Sequence, residues 1–151
     1  MSFPIPATGV AMLTPDTLPK PLGRYSHLSV ARGVDLVSVA GQVSVDAHGS
    51  YVAVGSVFGQ AVQAYENIRD ALATVGLAMT DIVKCNAYVV GADAIPDFMR
   101  ARTDVYARYF PDGIYPPITL VAVAGLAFPE LLVEIECIAA MPRTEQQEQT
   151  R

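Results

Sequence analysis

The clearest hydrophobic period in the chain is helical and falls between residues 56 and 76. Ser56 precedes it as an N-cap and Gly76 follows it as a stop. Apolar side chains recur there at steps of three and four, which places them on one helix face: Phe58, Ala61, Tyr65, Ile68, Leu72 and Val75. The polar residues lie off this stripe: Gln60, Gln63, Glu66, Asn67 and Arg69. We predict an amphipathic helix lying across one face of a sheet.

A second helical pattern covers residues 95–110. Pro96 is acceptable in its first turn, where the missing backbone N–H has no partner in any helix. Its apolar stripe runs through Phe98, Val105 and Tyr109 and is interrupted by Arg102. The sequence therefore predicts a second amphipathic helix with one cation on its packed face.

Six stretches are β-prone, with branched or alternating apolar residues between turn residues: 10–13, 27–31, 35–40, 82–90, 118–123 and 131–141. The second and third flank Gly33 and are expected to pair as a hairpin. The last strand carries Glu134 and Glu136 on one face, opposite an apolar face made of Val133, Ile135 and Cys137.

This order of elements predicts an α+β fold in which two helices cover one face of a sheet. We expect a single domain over residues 1–142, with residues 1–22 as an N-terminal extension that includes an edge strand. Residues 143–151 contain no apolar anchor and are expected to form a disordered tail. The second sheet face would stay bare in a monomer, which indicates an oligomer.

Composition strengthens the case for an oligomer. Hydrophobic residues make up 52% of the chain and charged residues 17%, whereas charged residues ordinarily contribute about a quarter. Such a chain is short of charge to cover a monomer, so we expect other subunits to cover part of its apolar surface.

Charge and cysteine usage narrow the classes of partner. The net charge is −5 and the ten basic residues are scattered, so a nucleic-acid partner is not expected. The chain has no basic leader and no run of roughly 18 apolar residues, which favours the cytoplasm and no membrane contact. Cys85 and Cys137 lie far apart without a histidine pair, so we interpret both as buried thiols and expect neither metal nor cofactor.

Five segments in order resemble the RidA/YjgF family of reactive-intermediate deaminases: GRYSH at 23–27, AGQV at 40–43, QAVQAYENI at 60–68, TDIVKCNAYV at 80–89 and VEIECIAA at 133–140. The resemblance implies a fold related to chorismate mutase and a homotrimer around a central barrel, with clefts at the subunit boundaries. Active members of the family hydrolyse imines and enamines to a carbonyl compound and ammonia. A small molecule is then the expected ligand.

The resemblance also assigns candidate site residues. It places Tyr25 in the cleft and gives Glu134 the role of positioning the attacking water. Gly41, in the Gly-Gln turn, either brings backbone close to the ligand or only shapes the turn. Tyr25 has the alternative role of an interface aromatic, and Glu134 that of a solvated or ion-paired carboxylate. Repulsion between Glu134 and Glu136, about 7 Å apart on one strand face, is expected to raise one carboxyl pKa.

One position departs from the family pattern. The family's substrate-binding arginine belongs where this chain has Ile118, within PPIT at 116–119, and Leu120 replaces a smaller residue two positions later. An arginine that binds a carboxylate in bidentate fashion contributes about 1.5–3 kcal/mol, which isoleucine does not supply. We therefore expect an aliphatic pocket and slow turnover of small imino acids.

Arg102 is a candidate for the missing cation, because its stem lies on packed surface while its guanidinium must reach water, a carboxylate or a ligand. The alternative is exposure to solvent or pairing with Asp104, Glu134 or Glu136. Two functions remain open on the sequence: hydrolysis of an unusual imine, enamine or related carbonyl derivative, and non-catalytic binding of a small ligand in a trimer. An unrelated reaction on the same scaffold is a third.

Overall fold

The computed structural model describes residues 6–143. The strands are β1 (Gly9–Leu13), β2 (Leu28–Arg32), β3 (Val34–Val43), β4 (Ile82–Val90), β5 (Ile118–Val123) and β6 (Val133–Pro142). The helices are α1 (Val57–Ala73) and α2 (Ile95–Tyr109), and single 3-10 turns precede β4 and α2. Every predicted strand and helix is present, with ends that differ by at most three residues.

The main sheet has four strands in the order β3-β6-β4-β5. β6 pairs antiparallel with both β3 and β4, and β5 runs parallel to β4. A parallel neighbour needs a crossover connection, which α2 provides. β5 follows α2 in the chain and forms one edge of the sheet. The predicted α+β architecture with a mixed sheet is confirmed.

The predicted hairpin between the second and third strands is wrong. β2 pairs antiparallel with β1 in a separate two-stranded sheet, while β3 pairs with β6. Only Gly33 separates β2 from β3, and one residue cannot close a hairpin turn. Gly33 has φ +59°, and its backbone packs against Thr8, so the chain bends at this glycine and continues into the other sheet.

Both helices cover one face of the main sheet and enclose the core. Ser56 caps α1 by accepting the Gly59 backbone N–H, as predicted. The largest buried side chains come from the helices and the facing strands: Tyr65, Tyr106, Phe98, Ile68, Leu72, Ile82 and Ile135. The predicted stripe of α1 is confirmed except at its end, because the helix stops at Ala73 and leaves Val75 exposed.

Gln60, predicted off the stripe of α1, is buried instead. Its amide donates to the Glu130 carbonyl at 2.8 Å and accepts the Leu132 backbone N–H at 2.7 Å. A buried polar side chain is stable when its hydrogen bonds are satisfied, which explains this departure from the pattern. Gln60 fixes the segment that leads into β6.

The two helices leave the other face of the sheet uncovered, and of the second sheet β2 reaches β4, where the Ser29 hydroxyl donates to the Val83 carbonyl at 2.6 Å. The uncovered face presents polar side chains from β4 and β6 together with the partly exposed apolar residues Leu36, Val121 and Ile138. This bare face agrees with the sequence prediction.

The predicted tail begins at Arg143, which is described and pairs with Asp35 at 2.7 Å. Residues 144–151 lie outside the described residues.

Candidate functional site

A cavity of about 450 Å³ lies at the β5 edge of the sheet, between α2 and the loop that precedes β2. This volume is within the usual range of small-molecule sites. Its lining residues are Leu22, Gly23, Tyr25, Met99, Arg102, Ile118, Thr119 and Leu120. The structure therefore brings together four of the predicted site residues from three separate elements.

β5 supplies the floor of this cavity. Ile118 and Leu120 alternate with Thr119 along the strand and pair in parallel register with Cys85 and Ala87 of β4. Both aliphatic side chains are half-buried and pack against the core. The position that carries an arginine in the family pattern thus presents hydrocarbon to the cavity.

The loop above the cavity holds Tyr25 in place. The Tyr25 hydroxyl oxygen accepts the Leu22 backbone N–H at 3.2 Å, and the ring meets the edge of His27 at 5.6 Å between centroids. His27 is itself tied by Nε2 to the Pro19 carbonyl at 2.8 Å. The Tyr25 oxygen is therefore the acceptor in its hydrogen bond with Leu22, which holds the ring against the loop.

Arg102 contributes a buried guanidinium to the same cavity. The residue is 4% exposed, and its Cζ lies 5.8 Å from the Tyr106 ring centroid. Gly23 passes so close that a Cβ there would lie 3.1 Å from Arg102 Nη2. Within residues 6–143, Nε has no hydrogen-bond partner and the guanidinium has no ion pair. Within one chain, the alternative of pairing with Asp104, Glu134 or Glu136 is therefore wrong.

The groups around Arg102 are neutral. Burial raises the pKa of the Tyr65 and Tyr106 hydroxyls well above the ordinary range. The pKa of the Cys85 thiol is raised by its hydrogen bond with Cys137 and by burial. None of these groups carries a negative charge at neutral pH, so none compensates the guanidinium.

Glu134 and Gly41 do not line this cavity. They contact each other on the bare sheet face, where a β-bulge in β3 falls between Val39 and Gln42. A Cβ on Gly41 would collide with the Glu134 carboxyl group, so glycine here leaves room for that carboxyl. Gly41 thus makes a close approach to a side chain of its own sheet.

Glu136 differs from its neighbour on the strand. Its Oε1 accepts Asn86 Nδ2 at 2.9 Å and the Tyr88 hydroxyl at 2.9 Å. These two hydrogen bonds lower the pKa of Glu136, so the predicted rise from carboxylate repulsion is wrong for this residue. Glu134 makes no hydrogen bond or ion pair with any described side chain, which leaves it the freer carboxylate of the two.

Sequence reasoning missed the remaining lining residues. Leu22 and Gly23 lie in a loop without periodicity, and Met99 precedes Arg102 by three residues on the same helix face. Thr119 accepts a hydrogen bond from Lys84 Nζ at 2.7 Å.

In the described part of the chain, no group of His, Cys, Asp and Glu side chains is placed to hold a metal ion. None of the described helices is long and apolar enough to cross a membrane.

The fold and cavity define a small α+β protein with a ligand-sized site at the edge of its sheet. Residues 16–141 match the family model described as endoribonuclease L-PSP, and the chain belongs to this family, the RidA/YjgF proteins. A RutC family protein of Pyrococcus horikoshii is 31% identical over 124 residues, covering 82% of this chain and 92% of that protein.

Two further comparisons bear on function and fold. The 2-iminobutanoate/2-iminopropanoate deaminase of Dermatophagoides farinae is 29% identical over 123 residues, covering 82% of this chain and 90% of the deaminase. The crystal structure of the Rid-family protein YyfB from Yersinia pestis, a protein of unknown function, superposes with a TM-score of 0.77 at 27% identity. That match covers 89% of this chain and all of YyfB.

Proposed function

We propose that this protein hydrolyses the C=N bond of an imine, or of its enamine tautomer, to a carbonyl compound and ammonia. The observation that carries the proposal is the shared cavity of Tyr25, Arg102, Ile118 and Leu120. Membership of a family that includes an imine deaminase supports the reaction type. The net charge of −5 and the scattered basic residues weigh against RNA as the substrate.

The reaction needs only a water molecule and groups that transfer protons. Water adds to the imine carbon as the C=N π electrons move to nitrogen, and Glu134 takes one proton from the water and returns it to that nitrogen, which gives the amino alcohol. Glu134 then takes the hydroxyl proton and delivers it to the amine, so that the C–N bond breaks, the C=O bond forms, ammonia leaves and the carboxylate is regenerated. The Tyr25 hydroxyl donates a hydrogen bond to the heteroatom of the substrate. General base catalysis of this kind contributes about 10²- to 10⁴-fold to the rate.

Glu134 reaches the cavity in this scheme only from a second copy of the chain. β4 separates β6 from the edge strand β5, so Glu134 lies about two strand spacings, roughly 10 Å, from β5. It also lies on the bare sheet face, whereas Ile118 and Leu120 point towards the helices. A site between subunits follows, which suits the homotrimer expected from the family resemblance and from the bare sheet.

The test is hydrolysis of an imine generated in place by an amino-acid oxidase, with ammonia release measured against buffer alone. Glu134→Gln is expected to lower the catalysed rate by at least about 100-fold. The matched control is Glu136→Gln, two residues along the same strand, which keeps an oxygen for Asn86 and Tyr88 and is expected to retain the rate. Equal rates for the two variants would contradict the assigned role of Glu134.

A second candidate function is binding without turnover. The observation in its favour is that the cavity of a single chain contains Arg102 and Tyr25 but no carboxylate or histidine to act as a base. In that case the protein would bind a keto acid or imine at the cavity while ammonia release stays at the buffer rate.

A further inference from the structure

The chain has two cysteines, and the fold places them side by side. Cys85 of β4 and Cys137 of β6 are register partners on adjacent antiparallel strands. Both side chains point towards the helices and are buried, with 1% and 3% exposure. Neither residue lines the cavity at the β5 edge, so the proposed reaction uses neither thiol.

The type of strand pair decides whether two such thiols can be joined. In an antiparallel ladder, pairs that bond to each other through their backbones alternate with pairs that do not, and the second kind brings its Cα atoms closer, to about 4.5 Å. The Cys85 N–H donates to the Pro117 carbonyl at 2.9 Å, on the side of β5. Val90, an odd number of residues further along β4, donates instead towards β6, to the Leu132 carbonyl at 2.9 Å. Cys85 and Cys137 therefore form a non-hydrogen-bonded pair.

This spacing meets the geometric requirement of a disulfide. A disulfide needs Cα atoms about 4.4–6.8 Å apart and Cβ atoms on the same side, about 3.5–4.5 Å apart. A non-hydrogen-bonded pair falls within the first range and carries both side chains on one sheet face. The two thiols also share a hydrogen bond, so their sulfur atoms face each other. Joining them needs little movement of the backbone.

Burial limits which thiol each cysteine can meet. A packed core has no room for glutathione or for a cysteine of another chain, and the sequence contains no third cysteine. Each thiol is therefore the only partner of the other. Hydrogen peroxide is little larger than water and reaches such a site through local opening of the structure, so we expect its reaction to be slow.

We propose that Cys85 and Cys137 are a modification site, at which a peroxide joins the central strands β4 and β6 by a reversible disulfide. The proposed function supplies a source for this oxidant. When O₂ oxidises an amine to an imine, it takes up two electrons and two protons and leaves as hydrogen peroxide, so a protein that hydrolyses such imines works where peroxide is released. Only this source rests on the proposed function.

The first step falls to Cys137. A hydrogen bond from the Cys85 thiol lowers the pKa of Cys137, whereas the same bond and burial raise the pKa of Cys85. The Cys137 thiolate attacks one peroxide oxygen, the O–O bond breaks, and the leaving hydroxide takes up the proton that Cys137 had lost, which gives water and a sulfenic acid. The Cys85 thiol then loses its proton as its sulfur attacks the Cys137 sulfur, the S–O bond breaks, and the second hydroxide takes up that proton. The two thiols lose two electrons in total, and peroxide is reduced to two molecules of water.

The test is intact-mass spectrometry of the full-length protein before and after hydrogen peroxide. Catalase removes the peroxide, urea unfolds the chain, and iodoacetamide alkylates the free thiols. We expect the untreated chain to carry two alkyl groups, and the treated chain to carry none and to be lighter by two hydrogen atoms. Dithiothreitol is expected to restore both alkylation sites. Two alkyl groups after treatment, added oxygen atoms or covalently linked chains would overturn the proposal, and no variant has to fold for this result.

Stability and labelling give further readouts. The bond closes a loop between residues 85 and 137 in the unfolded chain, so the oxidised protein is expected to unfold at a higher urea concentration than the reduced protein. An equal or lower midpoint would show that the bond does not fit the folded sheet. Cys85→Ser is expected to leave a Cys137 sulfenic acid that dimedone labels, and Cys137→Ser to leave Cys85 unlabelled; equal labelling of both would overturn the role of Cys137.

These measurements are independent of ammonia release. A protein that forms the disulfide but hydrolyses no imine would keep the modification site and lose only the assigned source of peroxide. A protein that hydrolyses imines but keeps two free thiols in peroxide would keep the proposed function and lose the modification site.

Discussion

At the scale of single residues, Glu134 and Glu136 show how position within one strand sets chemistry. Both carboxylates lie on the bare sheet face, but β4 places Asn86 and Tyr88 against Glu136. Two hydrogen bonds stabilise the ionised form of Glu136 and lower its pKa. Glu134 faces Gly41 instead, where only the absence of a side chain gives its carboxyl group room.

This contact gives a residue-scale prediction. Gly41→Ala places a methyl group where the Glu134 carboxyl lies, and because that carboxyl is the end of a flexible side chain it moves away. We expect catalysis to fall towards the level of Glu134→Gln, while the free energy of unfolding changes by less than about 1 kcal/mol. The measurements are ammonia release and chemical denaturation.

Gly125→Ala is the control for this variant, since a Cβ there meets no atom within 4 Å and the rate is expected to be unchanged. An active Gly41→Ala protein would show that the position of the Glu134 carboxyl is unimportant.

At the scale of elements, α1 does more than cover the sheet. Gln60 holds the segment before β6 through the Leu132 N–H and the Glu130 carbonyl. Two helical turns after Gln60, Asn67 Nδ2 donates to the Val43 and Val45 carbonyls, both at 2.9 Å. These bonds hold the chain where it leaves β3. These bonds fix the ends of the two strands that bring Gly41 and Glu134 together.

The element-scale prediction concerns this attachment. Gln60→Leu keeps a similar size but leaves the Leu132 N–H and the Glu130 carbonyl without their partner, and we expect a loss of about 1–3 kcal/mol in the free energy of unfolding. Gln63→Leu, on the same helix, removes a hydrogen bond to Asn67 within one helix and is expected to cost at most about 0.5 kcal/mol. Urea denaturation of both variants measures the difference, and equal losses would contradict a special role for Gln60.

At the scale of the whole molecule, the bare sheet face is the feature on which the prediction of an oligomer rests. Leu36 is 64% exposed, and Val121 and Ile138 are also accessible among the polar side chains of β4 and β6. Apolar groups in such a patch are stabilised when another subunit covers them. A subunit that covers this face would also bring its own residues close to the β5 edge. The cavity there contains no carboxylate or histidine of its own chain that could act as a general base.

The whole-molecule prediction is that light scattering gives three times the chain mass and that Val121→Glu gives the monomer. A carboxylate buried between subunits without a partner is costly, so the trimer should dissociate. Val75→Glu is the control, because Val75 is 45% exposed against 43% for Val121 but lies beyond the end of α1, away from the sheet face. A trimer that tolerates Val121→Glu would place the interface elsewhere.

The sequence by itself determined the parts of this protein that depend on local periodicity. The three-and-four spacing of α1, its Ser56 cap and the alternation of β6 are visible because each depends on residues close in the chain. The family resemblance pointed to Tyr25 and Glu134 as cleft residues and to Ile118 as unusual, and of these three the structure brings Tyr25 and Ile118 into one cavity. Pairing was different: nothing local shows that β2 turns away from β3 at Gly33, because strand partners are chosen across the whole fold.

Only the tertiary structure decided which candidate residues share a site. Arg102 stood out in the sequence as a cation on an apolar stripe, but its lack of a carboxylate depends on where β5, β6 and the loop at Gly23 lie in space. The burial of Gln60 and the separate environments of Glu134 and Glu136 likewise depend on neighbours distant in sequence. Charge compensation and hydrogen bonding act over a few ångströms in space, and sequence spacing does not record such distances between elements.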